Sequence, residues 1–354
     1  MNLISKKEFL EHGFIIQKAN NTYVLGQGPF TQGGYPYPLS VYRPDFFLEH
    51  KQPWFYPRKL FILNRKQMYD FLFEKKTENK MFQKDLIKNF FSHSQKPNFI
   101  SYQQCFIQAK KALCENKFQK IVPTFSEVFL KKIPLLDFLQ RLFLKTRFLK
   151  GFLYGFWDKQ SGFLGFTPEF LFHLNQKSFS TMALAGTDLK NSPSLLKDKK
   201  QLKEHNFVVK DLKEKLSDFV FLKTPQKTSE IVFPPLKHLK TDLKGILKKS
   251  LDFEKICKIL HPTSAVGGYP KKRALDWLKQ HKSQKARGFF SIPFGFFESS
   301  QKAFCLVALR NLQWNQKEIS IFSGSGWIVE SCLQKEWHEL NLKRKQVKFF
   351  FGFS

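Results

Sequence analysis

Turn-forming residues punctuate the first sixty positions, at Gly26-Gln27-Gly28-Pro29 and again from Gln32 to Pro38, with short strand-like runs such as Thr22-Tyr23-Val24-Leu25 between them. Residues 59–80 and 101–116 read as helices, the second spacing Cys105, Ile107 and Leu113 at mixed three- and four-residue intervals. Residues 118–129 read as a strand that Pro123 confines to an edge or a bulge, because proline cannot donate to a ladder. A helix is predicted over 134–147. Strands follow at 151–157 and 162–166, paired around the turn at 158–161, and β structure continues through 170–174 and 179–184. Residues 197–220 form a long lysine-rich pattern whose buried stripe is Leu202, Phe207, Val208, Leu212 and Leu216. Shorter helices are expected at 252–260 and 271–281. A β block then runs from 289 to 329, with alternation over 304–309, before a closing helix. Strands and helices come in blocks rather than in strict βαβ order, which predicts an α+β fold. With no internal repeat and no linker, residues 1–354 read as one domain.

Charge changes the picture more than hydropathy does. The 354 residues carry 59 Lys and Arg against 29 Asp and Glu, a net charge of +30. A basic surface attracts phosphate, so a lysine-rich nucleic-acid-binding protein is one reading. It is disfavoured because the cations are mostly lysine, lack the bidentate geometry of arginine, and are spread along the chain. The joint excess of Lys and of Phe (43 residues) also fits a codon bias of the genome. Where acids are scarce, acids that cluster call for an explanation.

No apolar run reaches the roughly 20 residues that a membrane helix needs. The opening residues, from Met1 to Glu8, show no signal-peptide core, and Cys105, Cys114, Cys257, Cys305 and Cys332 are scattered without a CxxC pair. These observations predict a cytoplasmic protein with reduced thiols, without disulfides, a zinc site or a membrane partner. A monomer or weak homo-oligomer is expected.

The acids that cluster lie near the end, in Glu336-Trp337-His338-Glu339-Leu340-Asn341-Leu342-Lys343. On a helix, Glu336, Glu339 and Lys343 share a face. That face suits either a solvated ion pair or a site holding Mg²⁺ beside an anionic substrate. Considered separately, Thr167-Pro168-Glu169 is a turn with one acid and Lys203-Glu204-His205 part of a basic helix face. His261-Pro262-Thr263-Ser264-Ala265-Val266-Gly267-Gly268 is a turn-rich loop.

Order and spacing together do more. From about residue 100 to 345 the chain resembles the chorismate-utilising enzymes, and within them the isochorismate synthases. The matching pieces, in family order, begin with Phe118-Gln119-Lys120-Ile121-Val122, Gly165-Phe166-Thr167-Pro168-Glu169 and Ala183-Leu184-Ala185-Gly186-Thr187. Glu204-His205, the His261–Gly268 loop, Leu309-Arg310, Gly324-Ser325-Gly326 and Glu336-Trp337-His338-Glu339 with Lys343 complete the set. The first hundred residues match poorly. The resemblance implies a single α+β domain of two β-sheets flanked by helices, with a deep active-site cleft. Lys120 stands where isochorismate and salicylate synthases carry a base, and Ala185 where aminodeoxychorismate synthases carry a nucleophilic lysine. Ala265 is typical of isochorismate synthases; salicylate synthase and anthranilate synthase-type enzymes are the rival readings within the family, and an inactive family member is the rival to an enzyme.

The implied reaction adds water at C2 of chorismate and expels the C4 hydroxyl, probing a base and an acid at once. Lys120 is the expected base and Glu169 the expected acid, which requires their pKa values to move in opposite directions. Glu204 and Glu339 are implied as direct Mg²⁺ ligands, with Glu336 behind a water. Gly186, Thr187, Ala265, Arg310, Gly324, Gly326 and Lys343 are implied to surround the substrate. His205 is assigned to orienting the substrate or its neighbours, since Mg²⁺ prefers hard oxygen ligands. Gln201, Phe125, Ile292 and Trp327 depart from the family pattern. Menaquinone formation is the expected pathway, with siderophore and salicylate formation as alternatives.

Overall fold

The computed structural model describes residues 4–18, 21–73, 94–130, 133–223 and 227–352. Among these, nine strands form one antiparallel sheet in the order Lys59–Leu63, Tyr23–Gln27, Gly13–Gln17, Phe152–Trp157, Gly162–Thr167, Asn311–Trp314, Ile319–Gly324, Thr124–Phe129 and Ser94–Gln95. A second sheet runs Val220–Leu222, Leu236–Leu247, Ser178–Leu189, Phe170–Asn175, Lys302–Val307, Pro293–Ser299, Ser40–Tyr42, Trp54–Tyr56 and Thr31–Gly33, with Ser229–Phe233 also paired to Leu236–Leu247.

The two sheets face each other across phenylalanines. The ring of Phe14 lies 6.4 Å from Phe296, and that of Phe163 lies 5.2 Å from Phe294 in an edge-to-face pair. Alternation along each strand then decides what the outer faces bury. Leu153 and Trp157 point away from the inter-sheet core into a second cluster with Phe138, Leu139 and Leu142 of helix Leu135–Thr146. Helices Lys199–Leu216 and Phe253–Leu260 cover the other sheet; Phe253 meets Phe172 at 5.0 Å. The α+β class and the two-sheet core agree with the sequence reading.

Three boundaries differ from it. Residues 59–63 form an edge strand rather than the start of a helix. The helix begins only at Arg65, because Asn64 and Gln67 close a reciprocal capping box there. The remainder of that predicted helix, 74–80, lies outside the described residues. The predicted strand 118–129 is interrupted at Val122-Pro123: Lys120–Ile121 pairs with Gly268–Tyr269, and Thr124–Phe129 joins the large sheet. The long helix stops at Leu216, and Leu236–Leu247, where no element is predicted, pairs with Ser178–Leu189 along its whole length. The poorly matched N-terminal part is woven into both sheets, since Gly13–Gln17 pairs with Phe152–Trp157 and Ser40–Tyr42 with Pro293–Ser299.

Candidate active site

Pro123 is the local cause of the site. Its break frees Lys120–Ile121 from the large sheet and lets two other segments grip it. Tyr269 stands opposite Lys120 on one side, while Ile121 and Trp327 exchange both backbone hydrogen bonds (3.0 and 2.8 Å) on the other. The first grip requires glycine at 268, where φ is +143° and a Cβ would fall 2.4 Å from the Lys120 carbonyl oxygen. Lys120 is fully buried, its Nζ 3.2 Å from Glu204 Oε1. Burial pulls its pKa below the ordinary lysine value, and the Glu204 carboxylate opposes the shift without cancelling it. Gly326 leaves room for this pair: a Cβ there would lie 2.1 Å from Glu204 Oε1 and 2.7 Å from Lys120 Cε.

Three carboxylates come from two helices. Asp198 caps helix Lys199–Leu216, accepting from the N–H groups of Lys200 and Gln201. One turn on, Glu204 points inward and Lys200 bridges outward. Lys200 Nζ lies 3.2 Å from Glu204 Oε2 and 2.9 Å from Glu336 Oε1, on helix Leu333–Phe350. Burial works to raise the Glu204 pKa, but Lys120, Lys200 and Lys343 outweigh it and hold the group at about 2. Glu336 goes the other way, pushed by burial up to about 7 although Lys200 opposes it. Ser331 donates to its Oε1 at 2.8 Å, while its buried Oε2 has no hydrogen-bond partner among the described residues. Glu339 Oε1 is 2.6 Å from Lys343 Nζ, and Lys343 donates to the Gly324 carbonyl at 2.7 Å.

Does this donor set fit a divalent cation? Among the described residues no three His, Cys, Asp or Glu side chains already stand as a metal cluster. Lys200 nevertheless acts as a stand-in cation. Burial disfavours its charge, yet the attraction of Glu204, Glu336 and Glu339 lifts its pKa far above the ordinary lysine value. Hard carboxylate oxygens around a strongly cation-attracting point, one of them without a partner, are the chemistry Mg²⁺ takes. The residues fit.

Beside them lies a cleft of about 560 Å³. Its walls include Glu169, Gly186, Thr187, Glu204, Ala265, Arg310, Gly324, Gly326 and Lys343, all named from the sequence. Glu169 is 2% exposed, and burial raises its pKa to about 8 against the pull of Lys120, Arg310 and Lys343. Gly186 sits at a bulge with φ +78°, which turns the Thr187 N–H toward Gln201 Oε1 at 3.1 Å. Arg310, also at positive φ (55°), hands its Nε–H to Gln346 Oε1, and Gln346 donates at 3.0 Å to the Pro234 carbonyl. Burial lowers the Arg310 pKa to about 10, so the guanidinium stays charged at neutral pH. The Ala265 loop is tied down by Asp211, which accepts from the Ser264 N–H at 3.1 Å and from Lys215 at 2.8 Å.

Lys120, His205, Glu336 and Glu339 stand outside this wall. Lys120 and Glu336 are buried directly behind it through Glu204 and Lys200. His205 lies further back, its Nε2 2.8 Å from Thr241 Oγ1, and burial lowers its pKa to about 4. The histidine that does line the cleft is His238. Its Nδ1 is 3.1 Å from both Thr187 Oγ1 and the Gly186 carbonyl, and its buried Nε2 has no partner among the described residues. Burial lowers its pKa to about 3, so it is neutral at pH 7. Only the alternating strand Leu236–Leu247 could have announced it. Lys200 and Gln346 had no signal beyond their helical registers.

An antiparallel two-sheet core with a cleft between strands of both sheets and two helices defines an α+β enzyme-like fold. The same architecture occurs in the menaquinone-specific isochorismate synthase MenF from Escherichia coli, with TM-score 0.78, 19% identity, and 99% of this chain and 92% of that one covered. The family model described as chorismate binding enzyme matches residues 58–349, and the chain belongs to that family. The salicylate biosynthesis isochorismate synthase of Pseudomonas aeruginosa is 31% identical over 196 residues, 52% of this chain and 41% of that relative. MenF of Bacillus subtilis is 27% identical over 206 residues, 55% of this chain and 44% of its own length. The chain thus matches less than half the length of these two curated relatives.

Proposed function

We propose that the chain is an isochorismate synthase, converting chorismate to isochorismate by adding water at C2 and expelling the C4 hydroxyl. The observation that carries the proposal is the opposed tuning of two buried groups beside one cleft. Burial favours a neutral lysine at 120 and a protonated carboxyl at 169. The first can take a proton from water and the second can give one to a leaving hydroxyl. Ala185 offers no nucleophile, and Ala265 adds no polar group to the wall. The names of the curated relatives support the same product.

Arg310 and Lys343 carry the charges to bind a dianionic substrate, Arg310 as a fork aimed by Gln346. Gly186 and Thr187 offer backbone and hydroxyl groups, and neutral His238 offers a free ring nitrogen. Glu204 and Glu339 would hold Mg²⁺ directly and Glu336 through water, with Lys200 yielding its place between them. Bound there, Mg²⁺ would orient a substrate carboxylate and offset its charge. His205 would position the Ala183–Thr187 turn from behind. Supply of menaquinone synthesis is the pathway proposed, on the names of the MenF relatives.

Product analysis tests the reading. Chorismate and Mg²⁺ with purified protein should yield isochorismate, with no pyruvate and no requirement for ammonia. A folded protein that leaves chorismate unchanged would sink the proposal, and pyruvate release would replace it with salicylate synthase chemistry.

A further inference from the structure

One fully buried charge has no part in the chemistry described so far. Arg287 exposes no surface, and among the described residues no carboxylate pairs with it. Burial lowers its pKa only to about 9, so the guanidinium remains a cation at neutral pH. A buried charge without a counter-ion is costly unless hydrogen bonds compensate it, and here backbone carbonyls from three separate segments do so. Nε donates to Gln284 at 3.1 Å, one terminal nitrogen to Val266 at 3.2 Å and the other to Val122 at 2.9 Å. The guanidinium carbon also lies 4.2 Å from the centre of the Phe46 ring, whose face attracts a cation. Phe46 in turn accepts at its carbonyl from His261 Nε2 at 2.8 Å, at the head of the Ala265 loop.

Two of those carbonyls belong to residues that line the cleft, Val122 and Val266. Val122 stands between the Lys120–Ile121 strand and the Pro123 break, and Val266 follows Ala265. On the far side of the break, Gln284 accepts from the Thr124 N–H at 2.7 Å and donates to the Thr124 carbonyl at 3.2 Å. Gln313 of the large sheet accepts from the Phe289 N–H at 2.7 Å and anchors the same stretch. Lys215 and Lys271 also grip the loop, at the carbonyls of Leu260 and Pro262 and of Lys258 and His261, but neither donates to the Lys120 strand. Arg287 is thus the side chain that ties that strand to the loop, in addition to the two-residue pairing with Gly268–Tyr269. We propose that Arg287 is a positioning residue: its fork fixes the Lys120 strand against the Ala265 loop and holds the base at one distance from the substrate wall. The kinetic consequence rests on the isochorismate synthase reading, whereas the clamp does not. Lysine at 287 would keep the charge and the stem, but it offers one nitrogen where the planar fork offers three.

Hydrogen exchange of the full chain, read by mass spectrometry, tests the clamp without any substrate. In Arg287→Lys, peptides covering 118–123 and 261–268 should exchange about fivefold faster or more, with Asn311–Trp314 and Ile319–Gly324 as in the parent. Equal acceleration in all peptides would reduce Arg287 to a general contribution to stability, and no acceleration would show that the remaining bonds suffice. Either result overturns the proposal. With chorismate and Mg²⁺, kcat should fall about tenfold or more in Arg287→Lys, since a misplacement of about 1 Å can cost about 10²-fold. KM should stay within about threefold, because Arg310 and Lys343 keep their own partners. Arg287→Ala should show the same split; should it fail to fold, Arg287→Lys carries both measurements. An unchanged kcat, or a loss confined to KM, refutes the positioning role. A parent chain that leaves chorismate unchanged would instead remove the isochorismate synthase reading, and the exchange result would still decide the clamp.

Discussion

Glu169→Gln isolates the clearest electrostatic claim of the site. Burial raises this carboxyl from 4.5 to about 8 in the folded chain. In the unfolded chain it titrates near the ordinary value. A group whose folded pKa is raised stabilises the fold fully below its unfolded pKa, and that contribution is lost as pH rises through the folded value. At 1.36 kcal/mol per pKa unit, the parent protein should lose about 4 kcal/mol between pH 5 and pH 9 through this group alone. Glutamine keeps the shape and never ionises. Denaturant unfolding of both proteins at pH 5, 7 and 9 should therefore give curves that start close together and diverge, the variant being the more stable at pH 9. All other titrating groups are common to the pair, so the difference reports position 169. Activity should run in the opposite sense. If Glu169 is the acid, the parent kcat/KM should fall about tenfold per pH unit above pH 8, and Glu169→Gln should lose about 10²- to 10⁴-fold below pH 8, a deficit that narrows above it as the parent's own acid ionises. Parallel unfolding curves from pH 5 to 9 would refute the burial argument, and a fully active glutamine variant would refute the role.

Gln346→Leu removes the acceptor that aims Arg310 while keeping side-chain bulk. It should raise KM for chorismate about tenfold, with kcat changed less, measured by steady-state kinetics. Gly326→Ala places a methyl group 2.1 Å from Glu204 Oε1 and should abolish turnover in a protein whose circular dichroism is unchanged. Lys120→Ala should likewise eliminate turnover while leaving Mg²⁺ binding nearly intact, as read by calorimetry; retained activity would remove Lys120 from the role of base. Chelation should stop chorismate conversion and added Mg²⁺ restore it, with Glu204→Gln and Glu339→Gln each demanding more Mg²⁺ for half-maximal rate than Glu336→Gln does.

The sequence was most informative where chemistry depends on order, and least where it depends on pairing. Glu169, Gly186, Thr187, Glu204, Ala265, Arg310, Gly324, Gly326 and Lys343 were named because their short runs follow one another in the order and spacing of the family, not by any run alone, and all nine line one cleft. His238 escaped notice because Leu236–Leu247 carries lysines at exposed and half-buried positions that blur its alternation; the strand is defined by eleven partners on Ser178–Leu189, not by its own residues. Lys200 was one lysine among many. Only the reach of its ion pairs, from Glu204 on its own helix across to Glu336 on the closing one, distinguishes it from its solvated neighbours. The helix face of Glu336, Glu339 and Lys343 was legible as a face. What each residue meets was not: Glu339 pairs within the helix, whereas Glu336 reaches across to Lys200.

The positions that depart from the family pattern divide by what they touch. Gln201 is engaged with the Thr187 N–H and faces the Gly186 turn, so its change acts on the shape of the substrate wall. Ile292 is fully buried in the inter-sheet core and adds apolar contact. Phe125 and Trp327 belong together. Their rings are nearly parallel at 6.4 Å, and Tyr102, Phe106 and Trp337 close around them. Trp327 Nε1 donates to Ser325 Oγ at 2.8 Å, and its backbone bonds Ile121. An aromatic block therefore stands behind the two-residue strand that bears Lys120. Aromatic pairs add about 0.5–1.5 kcal/mol each beyond their buried area, enough to hold a segment that Pro123 has cut from its sheet. Either substitution alone would leave a ring without its partner or a void beside the Lys120 strand. Together the two rings brace the strand with apolar surface and keep the buried lysine where the cleft requires it.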